Sequence, residues 1–386
     1  MDIEDNINSS QYRKDSKKIS DKKSDEEKIN GGHSKKRKNN KKNNKSRLIK
    51  RIALSIFTAL FVIVLGLLGV IYILEFGPSN TARNLFVNSA MESSAGKFMA
   101  TMFLSDEKIA QIRKDNSVVA SDDITDTSLI NIGTNETDTA DGDDYDEDGI
   151  QIIDISNDTY KGKMMIVKDP SRVTVGISGQ YGASYSGKTV MDMAMNYDAV
   201  AAVNGGGFED NNGVGNGGTP IGLVISDGEL KYGSAGSSYE VIGFDNNNLV
   251  VGKMTASEAL SRGVRDALSF GPILIVNGQA SQVNGSGSGL NPRTAIGQRA
   301  DGAILLLVID GRQVNSLGAS YADVIDVMLE YGAVNAANLD GGSSSLMYYK
   351  GEYINSCASL YGPRNLPTSL IVRYLWMKIF IKKRYI

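Results

Sequence analysis

The run Val334-Asn335-Ala336-Ala337-Asn338-Leu339-Asp340-Gly341-Gly342-Ser343-Ser344-Ser345 anchors the reading of this chain. An uncharged segment of strand length, Val334–Asn338, delivers a carboxylate at its C-terminal end, and two glycines and three hydroxyls follow. Just upstream, Val324, Val327, Met328 and Tyr331 share one face of a predicted helix over Tyr321–Tyr331. Ser320 and Asp323 are spaced as a capping box, and Gly332 ends the helix. The apolar run Ala303–Ile309 closes in the same way, on Asp310-Gly311-Arg312. Two carboxylates at strand ends suit cleavage of a glycosidic bond. Either aspartate can instead cap an Asx-turn.

Outward from this run, short apolar segments alternate with Gly, Asn and Asp turns from Ile150 onward. They are Gln151–Ile155, Met164–Lys168, Val173–Ile177, Val200–Val203, Gly222–Ser226, Val241–Phe244, Ile273–Val276, Thr294–Gly297, Leu346–Tyr349 and Ser369–Arg373. Helical spacing recurs only over Thr189–Tyr197 and Ser257–Arg262. The fold class expected for residues 150–374 is therefore a mixed α/β (α+β) domain, rich in strands and poor in helices.

Three more clusters carry chemistry. Val203-Asn204-Gly205-Gly206-Gly207-Phe208 ends a strand on bare backbone, which can form a nest for an anion or a sugar oxygen, or only a tight hairpin. In Asn291-Pro292-Arg293-Thr294-Ala295-Ile296-Gly297, Arg293 opens an apolar strand, and its planar fork suits a phosphoryl group or a structural ion pair. Gly182-Ala183-Ser184-Tyr185-Ser186-Gly187-Lys188-Thr189 satisfies the phosphate-loop pattern, so a nucleotide hydrolase is an alternative.

Taken together and in this order, Asn204-Gly205-Gly206, Arg293-Thr294-Ala295-Ile296-Gly297, Asp310-Gly311 and Leu339-Asp340-Gly341-Gly342-Ser343-Ser344 resemble the phosphodiester glycosidase family. Gly362-Pro363-Arg364 ahead of Thr368–Arg373 resembles its closing element, and the likeness runs from Ile150 to Arg373. The resemblance implies that Asn204, Arg293, Asp310, Asp340, Ser343 and Arg364 face substrate. It also implies hydrolysis of a sugar-1-phosphodiester in a cell-envelope glycan. Asp340 and Asp310 would be catalytic, with Asn204, Gly205, Gly206, Arg293, Thr294, Gly341, Gly342, Ser343, Ser344 and Arg364 binding substrate. Gly207 departs from the aromatic residue of the family's animal members. The scheme requires no cofactor. A surface glycan-binding module without turnover and an anchored assembly scaffold are the rival readings.

Composition narrows the chemistry. The chain has one histidine, His33, and one cysteine, Cys357, which excludes Ser-His-Asp, HExxH and cysteine-zinc sites from the folded part. Residues 1–51 hold 17 Lys+Arg against eight Asp+Glu, while the whole chain is at −3, so the remainder is acidic and a poor nucleic-acid partner. Ile52–Leu74 runs 23 residues without a charge, long enough to span and contact membrane lipid. Its basic N-terminal flank places residues 1–51 in the cytoplasm as a disordered tail and the remainder outside, as a single-pass protein. Residues 75–120 read as a helical juxtamembrane stalk, with Ser105, Asp106 and Glu107 opening one helix. Residues 121–149 read as an acidic linker. Within the linker, Asp144, Asp146 and Asp148 match half of a calcium loop, but Ile155 stands where the closing glutamate is needed. Residues 375–386 read as a basic, aromatic tail able to touch a membrane surface.

Overall fold

The computed structural model describes residues 44–375, except 95, 120, 133–143, 211–212 and 360. The basic leader up to residue 43, the middle of the acidic linker and the tail from residue 376 lie outside the described residues. The chain divides into two compact units, Met1–Ile71 and Tyr72–Ile386. Helix α1, Asn44–Phe76, has 33 residues and contains the whole Ile52–Leu74 run; among the described residues it is the one helix long and apolar enough to cross a membrane. At 1.5 Å per residue it extends about 50 Å.

The second unit is built on antiparallel sheets. The first has seven strands in the order Gln279–Ala280, Ile273–Val276, Ala333–Asn338, Arg293–Arg299, Ile304–Ile309, Lys161–Val167, Ile150–Ser156. Strand Ile304–Ile309 is apolar throughout because both of its faces are covered. Ile304, Leu306 and Val308 point into the core shared by the sheets. Leu305, Leu307 and Ile309 alternate onto the opposite face, under the helix α7, Tyr321–Glu330. That helix starts at the expected capping box of Ser320 and Asp323, and Gly332 follows it at φ +80°.

The second sheet orders Glu352–Tyr353, Met347–Tyr349, Ala199–Asn204, Thr368–Arg373 and Val173–Ile177, with the helix α5, Val190–Asn196, on its outer face. The third orders Glu229–Tyr232, Val224–Ser226, Val264–Ser269, Ser238–Asp245 and Asn248–Thr255, backed by α6, Ala256–Ser261. Two of its long strands escape an apolar-pattern reading. Val264–Ser269 carries the buried Asp266, whose carboxylate accepts from Thr174 Oγ1 at 2.6 Å and pairs with Arg265. Asn248–Thr255 pairs residue for residue with Ser238–Asp245 across a turn in which Asn246 takes φ 52°.

Residues 80–118 do not stand apart as a stalk. Helices α2 (Asn80–Met91), α3 (Lys97–Ala100) and α4 (Asp106–Asp115) pack Val87, Ala90, Ala100, Ile109 and Ile112 into a core of their own. Ser105 caps α4 as its sequence predicts. The group then docks on the sheet domain: Ser89 Oγ accepts from Leu290 N at 2.8 Å, and Val118–Val119 pairs with Gln282–Val283. Gly289 permits this docking, since a Cβ there would lie 2.1 Å from Ser89 N. The described parts of the acidic linker also follow the domain, with Thr125 N donating to Val251 O and Asp126 N to Asn277 Oδ1.

Candidate active site

The register of the first sheet gathers the motif ends. Ala295 pairs with Asn338 and Arg293 with Ile309, so the start of one strand and the ends of its two neighbours share an edge. Arg293, Asp340 and the 310–312 turn all leave from that edge. The second sheet meets it through Asn204, which is fully buried. The Asn204 side chain donates to Asp340 O, and its Oδ1 accepts from Thr294 Oγ1 at 2.8 Å and Leu346 N at 3.1 Å. Asp340 N donates to Gly205 O at 3.0 Å. Asn204 and Thr294 thus brace the backbone behind Asp340 and do not line the cavity in front of it. Asn204→Ala would strand both donors in a dry interior, and a loss of about 2–3 kcal/mol in denaturant unfolding is expected.

In front of Asp340 lies a cavity of about 750 Å³, lined by Arg293, Arg312, Asp340, Gly341, Gly342, Ser343, Ser344 and Arg364 among others. Burial pushes the Asp340 carboxyl up to about 6, with Asp210 adding to the rise and Ser344, Arg364 and the Gly341 amide opposing it. Arg293 is buried: Nε donates to Ala319 O, Nη2 donates to Ser288 Oγ, Gly289 O and Glu92 Oε2, and the guanidinium stacks 4.1 Å from the Tyr321 ring centroid. Its charge is met by Glu92, which also accepts from Asn291 Nδ2 at 2.8 Å. Arg364 pairs with Asp210, donates to Ser343 Oγ at 3.4 Å and lies over Phe208. Burial raises the Asp210 carboxyl, but the Arg364 and Ser94 hydrogen bonds and the Arg364 charge outweigh it, leaving Asp210 below the usual range.

Arg312 differs from both. Among the described residues its guanidinium has neutral acceptors, Asn291 Oδ1 at 3.0 Å and Glu92 O at 3.4 Å, and no carboxylate within ion-pair distance. Burial and the neighbouring Arg293 charge lower its pKa, against Glu92 and Asp340. Its backbone is left-handed at φ 58°, and it lies over Gly342, where a Cβ would come within 3.1 Å of Nη2. A cation at the cavity wall with only neutral acceptors favours an anionic ligand.

The structure corrects several sequence expectations. Asp310 does not line the cavity; its Oδ1 accepts from Asn355 Nδ2 at 3.0 Å and Ser356 N at 3.1 Å, bracing the 355–356 loop. Gly205 and Gly206 form no open nest, because their amides donate to Thr368 O and Thr368 Oγ1. The phosphate-loop pattern forms no cradle either: the amides of Gly182, Gly187 and Lys188 donate to Gly218 O, Asn216 O and Leu366 O, and Thr189 caps α5. At the half calcium loop, Lys350 Nζ sits 2.7 Å from Asp146 Oδ2 and 3.1 Å from Asp148 Oδ2, so an ammonium already fills the cation position. No group of three metal-ligating side chains occurs among the described residues. The melting temperature is expected to be the same in calcium and in chelator; a calcium-dependent rise would restore Asp144, Asp146 and Asp148 as a site.

Motif reading missed Glu92, Asp210 and Arg312. Only Arg312 had a signal, its place directly after Asp310-Gly311. Glu92 and Asp210 belong to no motif and reach the site through tertiary packing alone.

The sequence model of the phosphodiester glycosidase family matches residues 197–373. The SPbeta prophage-derived uncharacterized protein YomE of Bacillus subtilis is 32% identical over 191 residues, covering 46% of this chain and 29% of that protein. The N-acetylglucosamine-1-phosphodiester alpha-N-acetylglucosaminidases of mouse and human are 30% and 31% identical over 182 residues, covering 42% of this chain and 34% of each enzyme. The chain therefore spans about a third of the length of the curated relatives it matches. The zebrafish N-acetylglucosamine-1-phosphodiester alpha-N-acetylglucosaminidase catalytic domain, auto-inhibited by pro-peptide, aligns at 25% identity with a TM-score of 0.49, over 58% of this chain and 82% of that one. The matched segment contains the Asn204 brace, the Arg293 strand, Arg312, Asp340 and Arg364, and on that match residues 197–373 carry a domain of the phosphodiester glycosidase family.

Proposed function

We propose that this cavity hydrolyses a sugar-1-phosphodiester at the bond between the anomeric carbon and the bridging oxygen. Water supplies the new oxygen on the anomeric carbon, the bridging oxygen leaves with phosphorus as a phosphomonoester, and the proton passes to solvent. The carrying observation is a cation, Arg312, that has no carboxylate within ion-pair distance among the described residues and lines the same cavity as a carboxyl tuned to about 6, Asp340. A phosphate leaving group is a weak base and needs no strong acid. Arg312, joined by Arg364, neutralises the charge that grows on it. Asp340 acts ionised, either by attacking the anomeric carbon or by taking the proton of the attacking water. Of the three carboxylates lining the cavity, Glu92 is paired with Arg293 and Asp210 with Arg364, which leaves Asp340 for the reaction, with Asp310 a loop brace. Gly341 and Gly342 let the loop approach the ligand closely, and Ser343 and Ser344 offer it hydroxyls.

The names of the mouse and human relatives favour N-acetylglucosamine as the sugar. The basic flank of α1 favours an inside N-terminus, an outside domain and a phosphate-linked envelope glycan as substrate. Incubating the chain in detergent with a panel of sugar-1-phosphodiesters tests the reading. Reducing sugar should appear from at least one member. Binding without release would instead mark a glycan-binding module, and neither binding nor release would leave an assembly scaffold.

A further inference from the structure

The cavity is lined by five basic and three acidic side chains, although the chain beyond its leader is acidic overall. Two of the basic residues, Arg113 and Lys114, come from α4 and belong to none of the motifs. With Ala110 they form an i, i+3, i+4 stripe on the cavity side, while Ile109 and Ile112 turn into the core of the helical group. Neither has a carboxylate within ion-pair distance among the described residues, and the adjacent Asp115 accepts from Gln111 Nε2 at 2.7 Å. Basic residues in a last helical turn also complement the helix dipole, but that role does not require them to face a cavity. Their wall is fixed in place. Asn284 N donates to Ser117 O at 2.9 Å, Val118 pairs with Val283, and the buried Asn116 ties the end of α4 to Ser286.

We infer that Arg113 and Lys114 form a second anion subsite, so that the preferred substrate carries another phosphate beyond the scissile one, as a repeating glycan phosphate does. This rests on the proposed hydrolase reading for the position of the first phosphate. The volume agrees, since about 750 Å³ lies in the upper part of the ~300–1,000 Å³ range of ligand pockets and leaves room beyond one sugar phosphate.

The test compares two probes, N-acetylglucosamine-1-phosphoglycerol and the same molecule with a second phosphate on the glycerol. Both are titrated calorimetrically into the full chain bearing Asp340→Asn, so that turnover is negligible during the titration. At about 0.05 M salt the two-phosphate probe is expected to bind about tenfold more tightly, and the preference should shrink as screening rises. Adding Arg113→Ala and Lys114→Ala should bring the two affinities within about twofold, and Arg113→Gln with Lys114→Gln should repeat this with less change in side-chain volume. Equal binding before those replacements, or a preference that survives both pairs, would overturn the subsite. Turnover by the unmutated chain reports separately on the reaction. Cleavage without the preference removes the subsite alone, and the preference without cleavage removes the hydrolase alone. Loss of both removes both.

Discussion

Asp340→Asn should lower turnover by about 10³-fold, the scale expected when a group acting on the transition state is removed from a preorganised site. The same change should not cost stability. In the folded chain the carboxyl holds its proton up to about pH 6, against 3.8 for the ordinary group. Between those values the folded state binds more protons than the unfolded state, so this group's contribution to stability falls as pH rises through the window. Above it, the fold carries a carboxylate in a place that prefers a neutral group. Asparagine removes that burden, so the variant should melt at least as high as the parent at pH 8, with any gain vanishing near pH 4. A variant that loses activity and melts early at pH 8 would make Asp340 a structural residue. In the parent, kcat/KM should rise with pH through about 6, because the reaction needs the ionised form.

Arg312→Ala is the second large effect. A fall in kcat/KM of about 10²–10³-fold is expected, with much of it in kcat, because the charge on the leaving phosphate grows as the bond breaks. Arg312→Lys should recover only part of this, since an ammonium cannot fork across two phosphoryl oxygens. Thermal stability should hold in both variants, because burial and Arg293 already disfavour the Arg312 charge in the fold. Inorganic phosphate should inhibit the parent and lose its hold on Arg312→Ala. Full activity and unchanged phosphate inhibition in that variant would take Arg312 out of the site.

Legibility in the sequence followed the periodicity and punctuation of each segment. Helix α7 could be read to within a residue because its capping box, its apolar face and Gly332 agree. Strands Val173–Ile177 and Ile273–Val276 fall where their apolar runs begin and end. Val264–Ser269 could not be read, because a buried aspartate held by partners distant in sequence breaks the pattern. The same division runs through the site. Asp340 is legible at the end of a strand before two glycines and Arg293 at the start of an apolar strand, whereas Arg364 is named only through the family resemblance; all three line the cavity. Asp310 sits in an equivalent motif, yet Asn355 and Ser356 turn its carboxylate to bracing a loop. Segment 80–118 hid its contribution for another reason. It reads as generic amphipathic helix, and only docking at Gly289 reveals that Glu92 reaches Arg293 and that α4 closes one wall.

The central claim is cleavage on the sugar side of the bridging oxygen. It is tested most directly by turnover of N-acetylglucosamine-1-phosphoglycerol by the full chain in water enriched in heavy oxygen, followed by mass analysis of both products before the sugar exchanges its anomeric oxygen. The label is expected on the anomeric oxygen of the released sugar and none on the phosphomonoester. Label on phosphorus, with sugar-1-phosphate and glycerol as products, would contradict it.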